Sequence, residues 1–401
     1  MPQPLWKKNL AAMWLAQLAG MGAITGVIAF LPLYIPQLGI TNIKAVEIWS
    51  GILISVSSLC AALSGPYWGN LADRVGRKLM VERVMAVFFA VILAMAFVTD
   101  VYQLFILRMI QGLFGGFTAA ALALVTGNTP KEQVTSAIGI FQTAMIAGSA
   151  LGPVFGGIIA DLLGYRETFI AFGLFCLLSL FIVHFAVTDT FTPVPKKEKA
   201  NLLRDIRYVL ALPALPSMLL VQFLIQFAIQ AIAPILPLYI LSLAPDTPYL
   251  ASTCGTIIAV AGVTSAVASA LSGRLSSRFS HHAILIVCAC MASLSFAAQA
   301  LTDSVTVLGL LRGISGLFLG TMLPTVNSII TLLTPPDKRG LAYGVAMSAP
   351  LIGNVVGPLG GSLLALYGNA ASVFWLTATL FLLVAVWVFF KVRDPRTSGA
   401  N

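Results

Sequence analysis

Long apolar runs, broken by short polar clusters, recur along the whole chain. Their length matches the roughly 20 predominantly apolar residues that an α-helix needs to cross a bilayer. The pattern predicts twelve spans, at 9–35, 47–70, 80–99, 102–126, 135–161, 168–188, 214–241, 250–276, 283–301, 304–332, 340–366 and 370–390, numbered here 1 to 12. A membrane β-barrel would instead show alternating segments of about 10 residues. The expected class is an all-α membrane protein.

The pattern also repeats at fixed distance. Leu31-Pro32-Leu33-Tyr34-Ile35 recurs as Leu236-Pro237-Leu238-Tyr239-Ile240, and Gln17 matches Gln222, all at an offset of 205. Arg108-x3-Gly112-x3-Gly116 recurs as Arg312-x3-Gly316-x3-Gly320, at an offset of 204. Gly69-x-Leu71 with Arg74 matches Gly273-x-Leu275 with Arg278, Thr129-Pro130 matches Thr334-Pro335, and Gly152-Pro153 matches Gly357-Pro358. Ordered matches of this kind mark an internal duplication. The expected organisation is two six-helix bundles, 1–188 and 214–401, in the same orientation. A basic, Pro-containing linker at 189–213 joins them, either as a plain tether or with a short amphipathic helix on the membrane surface.

Composition sharpens this picture. The chain is 59% hydrophobic and 9% charged, whereas a soluble domain carries about 25% charged residues. Its surface must therefore face mostly lipid. A net charge of +9 would suggest nucleic acid for a soluble chain. Here it reports topology. Lys44 and Arg166 fall outside, Arg108 and Arg312 fall within spans, and the remaining Lys and Arg lie in or beside cytoplasmic segments. That asymmetry places both termini in the cytoplasm. Lys7 and Lys8 precede an apolar run too long for a signal-peptide core, so it is expected to remain as span 1. Cys288-x-Cys290 lacks zinc-site spacing, and the five cysteines read as small core residues. No metal or cofactor is expected.

The loop after span 2 reads Gly69-Asn70-Leu71-Ala72-Asp73-Arg74-Val75-Gly76-Arg77-Lys78. Gly69 permits close helix approach and Gly76 a tight turn. Asp73 can complement a helix N-terminus. Arg77 and Lys78 hold the loop at the cytoplasmic face. The second-half copy has Ser277 where the first has Asp73. Span 5 carries Gly148-x3-Gly152-Pro153-x2-Gly156-Gly157, a groove for close backbone packing with a proline that permits a bend. Span 11 carries a variant, Gly353-x3-Gly357-Pro358-x-Gly360-Gly361.

These residues resemble the major facilitator superfamily, within it the twelve-span drug/proton antiporter branch, and there the multidrug exporters. The resemblance runs nearly end to end. It includes Trp6-Lys7-Lys8-Asn9-Leu10, Phe30-Leu31-Pro32-Leu33-Tyr34, Trp49-Ser50-Gly51 and Ile232-Ala233-Pro234-Ile235-Leu236. It implies two halves that rock around a site near the midplane. It makes Gly69, Asp73, Arg74, Gly76, Arg77 and Lys78 a conformational latch that grips the start of span 11. It makes Gly148, Gly152, Pro153, Gly156, Gly157, Gly357 and Pro358 an antiporter hinge. It associates Arg108 with proton transfer.

The polar residues themselves leave alternatives open. An arginine within the membrane costs at least ~2.5 kcal/mol. Arg108 and Arg312 either satisfy carbonyls near the outer interface, relay protons or bind an anionic substrate. Gln222, Gln226 and Gln230 share one face of span 7. With Gln17, Gln111, Gln142, Asn327 and Asn354 they are candidates to line the cavity, or else to bond between helices. None of the 14 acids falls at the centre of a span. Proton-coupling candidates are therefore Asp73, Arg108, Asp161 and Glu47. His184 could titrate, but a lone histidine on a peripheral helix is more often structural. Pro36 replaces the acid that often precedes Gln-Leu-Gly in such exporters, which weakens an inference to cationic drugs.

The expected function is inner-membrane, proton-coupled export of small amphipathic molecules by a monomer. The partners are small-molecule substrate, protons and membrane lipid, with no nucleic acid. The alternatives are export of an organic anion, such as a carboxylate siderophore, or uncoupled facilitation. No nucleophile–base arrangement or appended signalling domain suggests an enzyme or a receptor.

Overall fold

The computed structural model describes residues 4–189, 215–335 and 338–392, with Asp73 and Gly340 described by backbone alone. Apart from Asp189, the expected linker lies outside the described residues. All elements there are helical. They are α1 (Leu5–Tyr34, followed by a 3₁₀ turn at Ile35–Leu38), α2 (Ile43–Val75), α3 (Arg77–Met95), α4a (Val101–Leu113), α4b (Phe117–Gly127), α5 (Val134–Leu162), α6 (Tyr165–Ala186), α7a (Leu215–Ile232), α7b (Leu236–Leu243), α8 (Leu250–Arg278), α9 (His281–Ala300), α10 (Val305–Leu333), α11a (Arg339–Ala346), α11b (Ser348–Tyr367) and α12 (Ala370–Lys391).

Among the described residues, eleven segments are long and apolar enough to cross a membrane. The twelfth predicted span is α3, whose 19 residues begin with Arg77, Lys78, Glu82 and Arg83. Three spans expected to be continuous are interrupted. Span 4 breaks at 114–116, where Gly116 has φ +97°, a left-handed conformation natural only to glycine. Span 7 breaks between Ile232 and Leu236. Pro234 and Pro237 there remove two helix donors. The matching Leu-Pro-Leu-Tyr of α1 stays helical, because the residue equivalent to Pro234 is Ala29. Span 11 breaks at Met347, where Pro350 cannot share a turn with Ala346.

The described residues form two compact units. The first comprises those within 1–49, 56–196 and 246–259, and the second those within 50–55, 197–245 and 260–401. These differ from a plain cut at the linker: a short piece of each repeat clusters with the other.

The duplication is visible as geometry inside each unit. In the first, α1 packs along α5, and side chains at Gly148 and Gly152 would collide with Leu18 and Gly22. In the second, α7a packs along α11b, and side chains at Gly353 and Gly357 would collide with Gln226, Phe227 and Gln230. Tyr34 donates to the Met95 carbonyl (3.4 Å), and its repeat Tyr239 donates to those of Gln299 (3.0 Å) and Thr302 (3.2 Å). Their rings meet Phe169 at 5.0 Å and Phe374 at 4.7 Å. The two phenylalanines are themselves 205 residues apart. Large apolar side chains such as Leu63, Phe185, Leu310 and Phe390 are exposed, as a lipid-facing surface requires.

Candidate functional site

In the first unit, α1 and the broken span 4 carry the buried polar side chains Gln17, Arg108 and Gln111. Gln17 is fully buried and donates through Nε2 to Thr118 Oγ1 (3.4 Å), in the first turn of α4b. Its Oε1 is buried without a hydrogen-bond partner. Arg108 is 2% exposed and donates from Nη1 to Gln111 Oε1 at 2.6 Å. The (i, i+3) spacing on α4a makes that pairing possible. Gln142 is exposed on α5, one position before Thr143, whose hydroxyl accepts from Trp14 Nε1 at 2.9 Å.

The second unit is richer in amides and hydroxyls. Gln222 donates to Asn327 Oδ1 (2.8 Å) and Gln226 to Asn354 Oδ1 (2.7 Å). The Tyr343 hydroxyl donates to the Asn327 carbonyl (3.2 Å) and also meets the Thr331 hydroxyl. Span 7 is thereby tied to spans 10 and 11 by neutral side chains. Gln230, half-buried, lies against Gly357. Arg312 sits 5.9 Å from the Phe296 ring, and its Nε is buried without a hydrogen-bond partner. The duplicated arginines therefore have different surroundings: Gln111 in one unit and an aromatic face in the other.

The expected loop at 69–78 is instead helical except at Gly76, because α2 runs on to Val75 and α3 starts at Arg77, and several of its side chains find partners the sequence does not show. Gly76 has φ +111° and turns the chain from α2 into α3. Arg77 reaches the Ala123 carbonyl at the end of α4b (2.7 Å), lying against Gly127. A cation there complements the negative helix terminus. The Lys78 ammonium donates to the His184 carbonyl (2.7 Å) and lies 3.7 Å from Glu82. Arg74 is exposed, and Gly69 has open space where a side chain would stand. The Asp73 side chain lies outside the described residues. Ser277 turns its hydroxyl back to the Arg274 carbonyl of its own helix (2.7 Å).

The acid candidates differ in surroundings. Glu47 is 6% exposed near the start of α2. Asp161, at the end of α5, accepts from the backbone N–H groups of Ala251 (3.1 Å) and Ser252 (2.7 Å), in the first turn of α8. His184 is exposed and lies 3.3 Å from Glu82. Four of the cysteines are buried as expected, but Cys290 is exposed.

Several contacts had no sequence signal. The Asp189 carboxylate accepts from the Lys78 N–H (3.2 Å), capping α3 from a residue 111 positions away. Asn9 exchanges two hydrogen bonds with the Thr188 backbone (2.7 and 3.1 Å). Arg83 stacks 3.4 Å from the Trp68 ring centroid and donates to the Phe114 and Gly115 carbonyls freed by the break in span 4. Trp68 Nε1 meets the Leu113 carbonyl at 2.6 Å.

Comparison with known proteins bears on this arrangement. The family model of the Major Facilitator Superfamily matches residues 13–252 and 218–401. "Multidrug resistance protein MdtG" of Escherichia coli (strain SE11) is 34% identical over 392 residues, covering 98% of this chain and 96% of that protein. An inward-facing, occupied bacterial homologue of the human lysosomal transporter Spinster shares the fold, with a TM-score of 0.80 at 17% identity, covering 98% of both chains. A D-xylose–proton symporter does so with a TM-score of 0.78 at 15% identity, covering 98% of this chain and 99% of that one.

Proposed function

The chain belongs to the major facilitator superfamily, and on that premise we propose that it exports small amphipathic molecules by alternating access, driven by proton antiport. It is a multi-pass membrane transporter and not an enzyme. The observation that carries the finer reading is its likeness to a multidrug resistance protein over nearly the whole of both chains. The proposed organisation is six helices per repeat, 1–188 and 214–401. The proposed location is the inner membrane, with both termini cytoplasmic and a monomer as the working unit.

The substrate residues proposed are Gln17, Arg108, Gln111, Gln142, Gln222, Gln226, Gln230, Arg312, Asn327 and Asn354. Neutral amides both donate and accept without selecting charge, which suits varied amphipathic substrates. The segment Gly69–Lys78, the end of α2 and start of α3, is proposed as the cytoplasmic latch, and the glycines and prolines of α5 and α11b as the hinge. Proton-coupling candidates are Asp73, Arg108, Asp161 and Glu47.

One observation favours a second reading, export of an organic anion such as a carboxylate siderophore. Arg312 has a buried Nε without a hydrogen-bond partner and no carboxylate within ion-pair distance among the described residues. A fixed cation in low dielectric attracts an anion. Purified protein in vesicles with an imposed pH gradient tests both. Pumping of cationic dyes that survives Arg312→Ala removes the anion reading. Transport indifferent to collapse of the gradient removes proton antiport and leaves a facilitator.

A further inference from the structure

In the first unit, the start of α1 and the end of α4b form a cleft of ≈ 340 Å³, within the size range of small-ligand sites. Trp6 and Asn9 line it from α1, and Gly127, Asn128 and Thr129 line it from α4b and the turn beyond. Leu5 lines it too and is exposed. The proposed topology turns this end to the cytoplasm.

Its walls carry donors and positive charge. Trp6 is half-buried, and its indole N–H has no protein acceptor among the described residues. The Asn9 amide gives one N–H to the Thr188 carbonyl (2.7 Å) and has a second to offer. The Lys7 ammonium lies 5.5 Å from the Trp6 ring centroid, within cation–π range. Lys8 follows it and is exposed. No carboxylate lies within 4.0 Å of Lys7 or Lys8 among the described residues. Behind the cleft, the Arg77 guanidinium occupies the space where a side chain at Gly127 would stand. The nearby acids are already engaged or balanced. The Asp189 carboxylate accepts from the Lys78 N–H, and Glu132 is exposed beside Lys131.

The duplication shows that these features are not part of the shared framework. At an offset of 205, Leu5, Leu10, Thr129 and Pro130 recur as Leu210, Leu215, Thr334 and Pro335. The polar and cationic positions do not recur. Trp6, Lys7, Lys8 and Asn9 correspond to Ala211, Leu212, Pro213 and Ala214, and Gly127-Asn128 corresponds to Leu332-Leu333. One repeat alone carries the chemistry.

We propose that this cleft binds the headgroup of an anionic glycerophospholipid. Lys7 and Lys8 complement the phosphodiester charge, and the spare N–H groups of Trp6 and Asn9 can donate to its oxygens. The Trp6 ring and Leu5 meet the glycerol and acyl region, at the interface where tryptophan is favoured. Basic pockets between spanning helices suit such headgroups. A free phosphate would use the same cations but has no part for an exposed leucine beside a tryptophan. A bound headgroup bridges the start of α1 and the end of α4b. The proposal is independent of substrate, coupling ion and transport direction.

The full chain in detergent is titrated with phosphatidylglycerol, phosphatidylcholine or inorganic phosphate, and bound molecules are counted by native mass spectrometry. Each cation at an anionic surface is worth roughly fivefold in binding. Wild type is therefore expected to hold phosphatidylglycerol at least about tenfold more tightly than phosphatidylcholine. Lys7→Gln combined with Lys8→Gln should remove that preference, and Asn128→Leu, which installs the residue of the second repeat, should weaken it. Lys44→Gln, which removes an exposed lysine at the start of α2, should leave it unchanged. Brominated lipids locate the site: the fluorescence lost between wild type and Trp6→Phe should be quenched more by brominated phosphatidylglycerol than by brominated phosphatidylcholine. Absence of a phosphatidylglycerol preference, or a preference that survives both the double lysine variant and Asn128→Leu, overturns the proposal. Inorganic phosphate bound with the same sensitivity to the lysine pair, while the two lipids bind alike, assigns the cleft to a free anion and overturns the lipid site.

Discussion

Gly152 and Gly139 sit on the same helix with opposite surroundings. A side chain at Gly152 would strike the Gly22 carbonyl, whereas Gly139 has nothing within 4 Å. Gly152→Ala is expected to destabilise by about 1–3 kcal/mol through overpacking. Gly139→Ala is expected to be neutral, or to stabilise by up to about 1 kcal/mol through helix propensity. Thermal unfolding of both variants in detergent checks the pair, and an equal loss would remove the close-packing account of the hinge motif. The two repeated tyrosines allow a second comparison. Tyr239 donates to two carbonyls at 3.0 and 3.2 Å, Tyr34 to that of Met95 at 3.4 Å. Tyr239→Phe is expected to cost about 1 kcal/mol and Tyr34→Phe less, since a longer bond contributes less. Ranked melting temperatures of the two variants decide it.

At the scale of elements, the break in span 4 is the least symmetric part of the repeat. Gly116 stands in a left-handed turn, while its repeat Gly320 lies within the continuous α10, pressed on Ser265. The carbonyls freed at 113–115 are met by Trp68 and Arg83. The positions 204 further on hold Ser272 and Val287, so the second repeat has no such clamp. Gly116→Ala is expected to cost about 1–2 kcal/mol from the forced left-handed conformation. Arg83→Lys, which keeps the charge but loses the flat stacking surface, is expected to lower stability measurably. Chemical denaturation monitored by tryptophan fluorescence reads both, and wild-type stability in Arg83→Lys would show that the ring contact contributes nothing. Proline placement explains why span 7 divides while span 1 does not. Two prolines in the same stretch free two carbonyls, and one leaves the helix continuous.

For the whole molecule, the neutral cluster of Gln222, Asn327, Thr331 and Tyr343 leads to a transport prediction. Asn327→Leu leaves Gln222 Nε2 buried and unmet, at a cost of about 1–3 kcal/mol. If the cluster contacts substrate, this variant should raise the half-saturating concentration for hydrogen-bonding substrates more than for purely apolar ones. Vesicle uptake assays with matched compounds read that split. An equal effect on both classes would assign the cluster to helix packing alone.

Membrane class and the internal repeat were legible in the chain itself, and the helix number approximately so. Each is a matter of period and spacing: apolar length is set by bilayer thickness, and the offsets near 205 are copied contact surfaces. The glycine motifs were legible for the same reason, because only glycine lets two backbones meet. The sequence also marked Arg77, Lys78 and Asp161 as notable, but not their partners. Those depend on which helix ends the fold brings side by side. Arg77 belongs to the end of α4b, Lys78 to the end of α6, and Asp161 to the first turn of α8. Capping by a residue distant in sequence has no local signature, because donor and acceptor are joined only when helices pack. By itself the sequence determined what crosses the membrane and that it does so in two copies. Only the tertiary structure decided where the copies differ, since a carboxylate, a clamp or a broken helix acquires meaning from the terminus or carbonyl it meets.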